Sequence, residues 1–469
     1  MRRLGVLLSI LFACLTVATS WAGSPIVYVP RPSGTDDTAN IQAALDKCVA
    51  YGKDCTVQLA AGTYFTRQLV AYNFRGTFMG RGKDKTTIEA LPYLPANIDW
   101  LQPCQPNTTT CLWPTLMIFV DGDINISDLS VHMTATDGTA TSPPGQIETA
   151  IRLMGQYSTT NVHIDRIEME GRPDSTSGSG FNVGNGIMYT GELSGSSANP
   201  IELPCGAAGG FYFVSGSYTV RNSLFKSMWD GVSQDGCVRS TQVMIGGSPS
   251  TGNTFENLIV GIDLESAEDS HFEISYNVSS GISESMWVVP WLSSVFVPRK
   301  PSTYMIHDNT FFTTQPYATG VLLYNDTPGN PWIDAVIWNN NIQLQEGPSD
   351  GIDAVYTKGT MILNNTVTGS GWDAIGLYGS TSSALVHNNV SDFAPDPTTG
   401  SAARIYLDPG TSHDLVVCAG STDTVLNQGT NNVVIGCQQA ATTSEAETRS
   451  EALGNSAPHP RAKYSPYRP

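Results

Sequence analysis

Between Ile306 and Val390 apolar and polar positions return in the same order four times. The repeated phrase is an aliphatic residue, a short polar group ending in Asn, and another apolar residue. It appears as Ile306-His-Asp-Asn309-Thr-Phe, Ile337-Trp-Asn-Asn-Asn341-Ile, Ile362-Leu-Asn-Asn365-Thr-Val and Val386-His-Asn-Asn389-Val. The asparagines that mark it lie 32, 24 and 24 residues apart, too close for domains and right for single coils of a solenoid. A second phrase alternates with the first: Gly320-Val-Leu-Leu-Tyr324, Gly351-Ile-Asp-Ala-Val355 and Ala374-Ile-Gly-Leu-Tyr378. Two short strands per repeat, with little helical periodicity, predict an all-β chain wound as a parallel β-helix. Asparagine suits its corners, because it tolerates left-handed backbone angles and its amide can bond the asparagine of the next coil.

Upstream, the pattern changes once. Asp37 or Thr38 can cap a short helix whose apolar face is Ile41, Ala44 and Leu45. Short strands follow at Val57–Leu59, Ala61–Tyr64, Phe74–Phe78 and Thr87–Ala90. A helix placed before the first coils covers an open solenoid end, which otherwise exposes apolar side chains and unpaired strand edges. Further coils read at Ile118–His132, Ala150–Met169, Gly186–Phe225 and Gly231–Leu258, interrupted by loop-like insertions at Leu91–Pro114, Gly191–Gly216 and Gly281–Pro301. The predicted domain spans residues 23–437, with a cap over about 34–90 and coils over about 115–437. Residues 438–469 turn polar and proline-rich and read as a disordered tail.

The order Gly34-Thr-Asp-Asp-Thr38, Ile41-Gln-Ala-Ala-Leu45, Ala61-Gly-Thr-Tyr64, Gly80-Arg-Gly-Lys83 and Thr86-Thr-Ile88 resembles the N-terminal end of the pectate-lyase-like superfamily. That resemblance implies a right-handed parallel β-helix with a short N-terminal capping helix. The superfamily includes polygalacturonases, pectate lyases and phage tailspikes, so the likeness speaks for fold and little for activity. Gly80-Arg-Gly-Lys83 lacks phosphate-loop spacing and reads as a turn between strands.

Residues Met1–Ala22 have the basic start, apolar run and small-x-small end of a secretory signal. The run is too short for a membrane span, and no later stretch is long enough. Leu11-Phe-Ala-Cys14 loosely resembles a lipoprotein box, but ordinary cleavage, with release or periplasmic retention, is the expectation. Loss of Arg2 and Arg3 with the signal takes the net charge from −18 to −20, which disfavours nucleic acid and anionic membranes. Eight cysteines remain in close pairs: Cys48 with Cys55, Cys104 with Cys111, Cys205 with Cys237 and Cys418 with Cys437. In an exported chain these read as sequential disulfides rather than a zinc site, since no Cys-x-x-Cys occurs.

Aligning the Gly/Ala-Ile/Val phrases gives candidate chemistry. In Ala150-Ile-Arg-Leu-Met154, Gly186-Ile-Met-Tyr-Thr190, Gly231-Val-Ser-Gln-Asp235, Gly261-Ile-Asp-Leu-Glu265 and Gly320-Val-Leu-Leu-Tyr324 the third and fifth positions leave the core. One solvent face is thus expected to carry Arg152, Asp235, Asp263, Glu265, Tyr324 and Tyr378. Asp235 and Glu265 share a column, at a spacing of about 4.8 Å between strands. Asp263 is a diagonal neighbour of Asp235 at roughly 7–8 Å. Close carboxylates suit acid, base or nucleophile roles in glycoside hydrolysis, although solubilising charge on an open sheet face gives the same pattern. Trp287 and Trp291, on the insertion after this coil, suit stacking on sugar rings. Asp230, Glu284, Arg299 and Lys300 stand in reserve.

The polygalacturonase motifs are missing or out of place, so that family carries over no catalytic residue. Arg299-Lys-Pro301 is half of a pectate-lyase Arg-x-Pro-x-x-Arg pattern, with Tyr304 where the last arginine belongs. His307 and His387 fall at matching places of the Asn phrase and read as solvated or ladder positions. His132, His163, His271 and His413 show no metal-ligand spacing. The leading expectation is a glycoside hydrolase that needs no cofactor and no metal and acts on a polysaccharide or oligosaccharide. The alternatives are a calcium-assisted lyase acting on uronates, with Arg299 or Lys300 as base, and a non-catalytic glycan-binding or structural β-helix.

Overall fold

The structure, a computed structural model, describes residues 24–91, 115–133, 149–155, 159–171, 185–190, 194–196, 199–201, 214–235, 238–265, 267–282, 284–289, 300–314, 318–325, 332–345, 349–395 and 403–440. Among them, parallel strands stack coil upon coil into a right-handed β-helix. Each coil runs through three faces, here called sheets I, II and III in chain order. The long strand Thr115–His132 passes through all three, turning at Asp121 (φ 55°) and Asp128 (φ 58°). Sheet I then collects Thr149–Met154, Asn185–Thr190, Asp230–Asp235, Val260–Glu265, Glu284–Val289, Thr319–Tyr324, Asp350–Val355 and Asp373–Tyr378.

Side chains of one register row stack along the core: Phe225 lies on Phe255 (centroids 5.1 Å apart) and Phe272 on Tyr304 (4.7 Å). Tyr189 of sheet I stacks across the core on Tyr218 of sheet II (4.9 Å). Burial of such rows is the main source of stability in a fold without a globular centre. The helix Thr38–Tyr51 closes the N-terminal end, burying Ile41, Ala44, Leu45 and Cys48 as expected from the sequence. Asp37 is its N-cap by position but makes no side-chain cap bond; its Oδ1 instead accepts from Ser33 N–H at 2.9 Å.

The corner between sheets II and III has the most regular structure. Asn253, Asn277, Asn309, Asn340, Asn365 and Asn388 are all buried there, one per coil. Each Oδ1 after the first accepts from the backbone N–H and the Nδ2 of the preceding asparagine, for example Asn309 to Asn340 at 3.0 and 2.9 Å. Each Nδ2 also donates to a backbone carbonyl, as Asn340 does to Ile306 at 2.9 Å. The repeat thus begins two coils before the stretch where it is most visible in the sequence. It is also carried by Asn340 and Asn388 rather than by Asn341 and Asn389, which are exposed.

Two adjacent residues divide the corner's tasks. The left-handed angle belongs to the residue before the ladder asparagine: Tyr276 (60°), Asp308 (55°), Asn339 (55°), Asn364 (53°) and His387 (53°). His307 and His387 are therefore not equivalent. His307 ends its sheet II strand, stacked on Trp338 at 4.1 Å, whereas His387 forms the turn itself.

Cys48–Cys55 and Cys418–Cys437 are disulfides, with Cα atoms 5.5 and 5.3 Å apart. The pairs Cys104/Cys111 and Cys205/Cys237 lie outside the described residues, as do the signal segment and residues 441–469 of the predicted tail. The first tail residues, Gln438–Gln439, instead form a short strand paired with Thr424–Asn427. No helix among the described residues is long and apolar enough to cross a membrane.

Candidate functional site

The register of sheet I agrees with the phrase alignment. One outward column reads Arg152, Met188, Ser233, Asp263, Trp287, Leu322, Asp353, Gly376 and Tyr406. Trp287 therefore stands one strand beyond Asp263, about 4.8 Å away at the backbone. Glu265 lies two residues along the same strand, on the same face and about 7 Å from Asp263. Val289 follows Glu265 in the neighbouring column, where Tyr324, Val355 and Tyr378 are also in register.

The face is not the open surface expected from alternation. Asp263 is 8% exposed, Tyr378 7% and Arg152 0%, whereas Glu265, Trp287 and Tyr324 are half-buried. The reason is geometric: alternation along a strand separates the inside of the coil from its outside, and says nothing of whether other chain segments cover the outside. The Arg152 guanidinium, expected from the sequence to meet substrate, is fully buried in this structure.

Other expected residues fall in several places. Trp287 is on the strand Glu284–Val289 and not on a loop, because the predicted insertion Gly281–Pro301 contributes that strand to sheet I. Asp235 closes the strand Asp230–Asp235 on the coil before Glu265; its side chain and that of Glu284 lie outside the described residues, as do Trp291 and Arg299 entirely. Asp230 opens its strand at the corner from sheet III and is buried. The Lys300 ammonium is held by Asp269 Oδ2 at 2.8 Å. Tyr304, at the place of the lyase pattern's last arginine, is a core residue stacked on Phe272.

A second carboxylate group lies three strands from Asp263, about 14 Å along the solenoid. Asp353 (1% exposed) occupies the same third position in its phrase that Asp263 has in its own. Tyr378 folds back so that its hydroxyl donates to Asp373 Oδ2 at 2.9 Å. The ring crosses Gly376, where a Cβ would stand 2.5 Å from Tyr378 Cε2 and 2.8 Å from Asp353 Oδ1. Asp408 lies at the end of this row, accepting from Gly379 N–H at 2.8 Å, with burial pushing its carboxyl up from the ordinary range. The phrase Gly351-Ile-Asp-Ala-Val355 already carried the signal for Asp353, since its third position matches that of Asp263. The Tyr378–Asp373 bond joins opposite ends of one strand and has no sequence signature.

With this geometry in hand, comparison with known proteins is informative. A family model described as rhamnogalacturonase A/epimerase, pectate lyase-like, matches residues 33–263. The chain belongs to the pectate-lyase-like superfamily. The A-module of the Azotobacter vinelandii mannuronan C-5 epimerase AlgE4 shares the fold, with TM-score 0.50 and 15% identity over 87% of this chain and 94% of that one. A variant of DFA-IIIase from Arthrobacter chlorophenolicus A6 matches with TM-score 0.50 and 12% identity over 90% of this chain and 100% of its own. A search of curated proteins finds no match. Within this pectate-lyase-like solenoid, sheet I combines carboxylates and aromatic rings on one outward face. In chain order its strands are preceded by residues 91–114, 133–148 and 171–184 and followed by residues 191–213 and 290–301.

Proposed function

We propose that the chain is an exported carbohydrate-active enzyme that cleaves glycosidic bonds on the outer face of sheet I, with Asp263 and Glu265 as its carboxylate pair. The observation behind this reading is the register that stands the Trp287 indole one strand from Asp263, with Glu265 on the same face. A carboxylate pair supplies a proton donor to the leaving oxygen and a base or nucleophile at the anomeric carbon. An indole beside it offers a flat apolar surface to a pyranose ring. The family description, which names a rhamnogalacturonase and an epimerase, and the mannuronan epimerase relative support a carbohydrate substrate. Asp235, one coil before Glu265, is the third candidate carboxylate.

Hydrolysis is favoured over calcium-assisted lysis because Lys300 is engaged by Asp269 and the lyase pattern's last arginine is replaced by a core tyrosine. The test is incubation of the mature chain with neutral and uronate polysaccharides, with calcium or chelator, following reducing ends, unsaturated-product absorbance and uronate configuration. Reducing ends that vanish in Asp263→Asn and Glu265→Gln support the proposal. Calcium-dependent absorbance moves the assignment to a lyase, and C-5 inversion without cleavage to an epimerase. Binding that survives both substitutions, with no product formed, favours the non-catalytic reading.

A further inference from the structure

Sheet III carries a separate group of titratable side chains on its outer face. Strands Thr86–Ala90, Thr115–His132 and Thr160–Glu170 lie side by side there, with Glu89 in register with His132 and His132 with Glu170. Glu168 is two residues from Glu170 and on the same face. The ligand-capable atoms of His132, Glu168 and Glu170 all lie within 4.8 Å of one another. The two ring nitrogens have different neighbours: Nδ1 is 3.5 Å from Glu89 Oε2, and Nε2 is 3.9 Å from Glu170 Oε2. An imidazole whose Nδ1–H is directed at a carboxylate keeps its lone pair on Nε2, and here Nε2 faces the other two carboxylates. A histidine ligand oriented by an outer carboxylate is the usual arrangement around a bound transition metal.

We propose that His132 Nε2, Glu168 and Glu170 form a site for one divalent transition-metal ion, with Glu89 orienting the imidazole from its far side. The ligand set is mixed nitrogen and oxygen, which suits zinc better than calcium or magnesium. Ligands about 2.1 Å from a tetrahedral ion stand about 3.4 Å apart, so the half-buried side chains need to close by roughly 1 Å, within reach of small rotamer changes. Charge favours the ion. Lys226 Nζ engages Glu168 Oε1 at 3.1 Å and is in register with Glu256. Four glutamates against one lysine still leave a net charge of −3 with the imidazole neutral. An ion here would join two successive coils just beyond the capped end, with Glu89 of the preceding strand holding the imidazole. The chain gives no local motif for it, because ligands 36 and 38 residues apart meet only through the coil register.

The experiment is titration of the chelator-stripped full chain with zinc chloride against a chromophoric competitor, with melting followed in parallel and cobalt as a spectroscopic substitute. The expected result is one ion per chain, a raised melting temperature and a cobalt d–d spectrum, all lost in both His132→Gln and Glu170→Gln. Glu89→Gln should keep the stoichiometry and weaken binding about 10–100-fold. Circular dichroism of the metal-free variants verifies that loss of binding is not loss of fold; Glu170, the more exposed partner, is the safer of the two. Absence of a saturable site, or equal zinc binding by wild type and both variants, overturns the proposal and leaves these side chains as an ion-pair ladder.

Discussion

The asparagine ladder allows a sharp test of which residues hold the coils together. Asn340 accepts from the N–H and Nδ2 of Asn309 (3.0 and 2.9 Å) and donates to Ile306 O (2.9 Å), Trp338 O (3.1 Å) and Asn365 Oδ1 (2.9 Å). In Asn340→Ala the Asn309 N–H and one of its amide protons are left buried without an acceptor. Each such group costs about 1–3 kcal/mol, so the substitution should destabilise by about 4 kcal/mol. Its neighbour Asn341 is exposed, and Asn341→Ala should cost under about 0.5 kcal/mol. Equilibrium urea unfolding of the two variants, followed by far-ultraviolet circular dichroism, measures the difference. Equal costs for the two, or less than about 1 kcal/mol for Asn340→Ala, would refute the assignment of the ladder to the buried asparagine.

Other consequences can be measured directly. Burial raises the Asp414 carboxyl to about 6, against the bond from Ser383 N–H at 2.7 Å. Because the folded pKa lies above the unfolded one, its contribution to stability falls as pH rises from about 4 to about 6 and then stays constant. The full shift corresponds to about 3 kcal/mol, which screening at this corner reduces to about 1–2. Asp414→Asn should therefore gain about that much stability at neutral pH and nothing at pH 4, as thermal melts across pH will show. Asp263→Asn and Glu265→Gln should each lower kcat at least about 100-fold on the substrate found in the polysaccharide panel. Trp287→Ala should act mainly through KM, and steady-state kinetics separate the two effects. Loss of the Cys418–Cys437 bridge, which spans 19 residues, should cost about 3 kcal/mol, read from denaturation of the double serine variant.

The fold was legible because a parallel solenoid writes its period into the chain. Gly/Ala-Ile/Val phrases and Asn phrases recur once per coil, and the phrase alignment placed Arg152, Asp263 and their neighbours in the register now observed. Within an Asn-Asn pair the pattern could not say which residue turns and which bonds, since both tasks admit asparagine; hence the ladder was read at Asn341 and Asn389, one residue late. The site was less legible. Alternation directed Arg152 and Asp263 out of the coil, yet both are buried. Contacts such as Tyr378 with Asp373, or His132 with Glu170, depend on backbone curvature and coil register and have no local pattern to read.

The ladder corner also determines where the chain can change. Between sheets II and III only two residues separate the strands at Ser275–Val278, His307–Thr310, Trp338–Asn341 and Leu363–Thr366. Added residues fit at this seam where they precede the ladder position: residues 247–253 separate Gly246 from Thr254, and Asn253 keeps both bonds to Asn277. Apart from 247–253 and 387–392, the longer connections fall at the other two corners, and both of those adjoin sheet I. The solenoid thus varies least along one seam and most along two. New specificity can be introduced on the face that bears Asp263 and Trp287 by lengthening its borders, while the hydrogen-bonded seam keeps every coil in step.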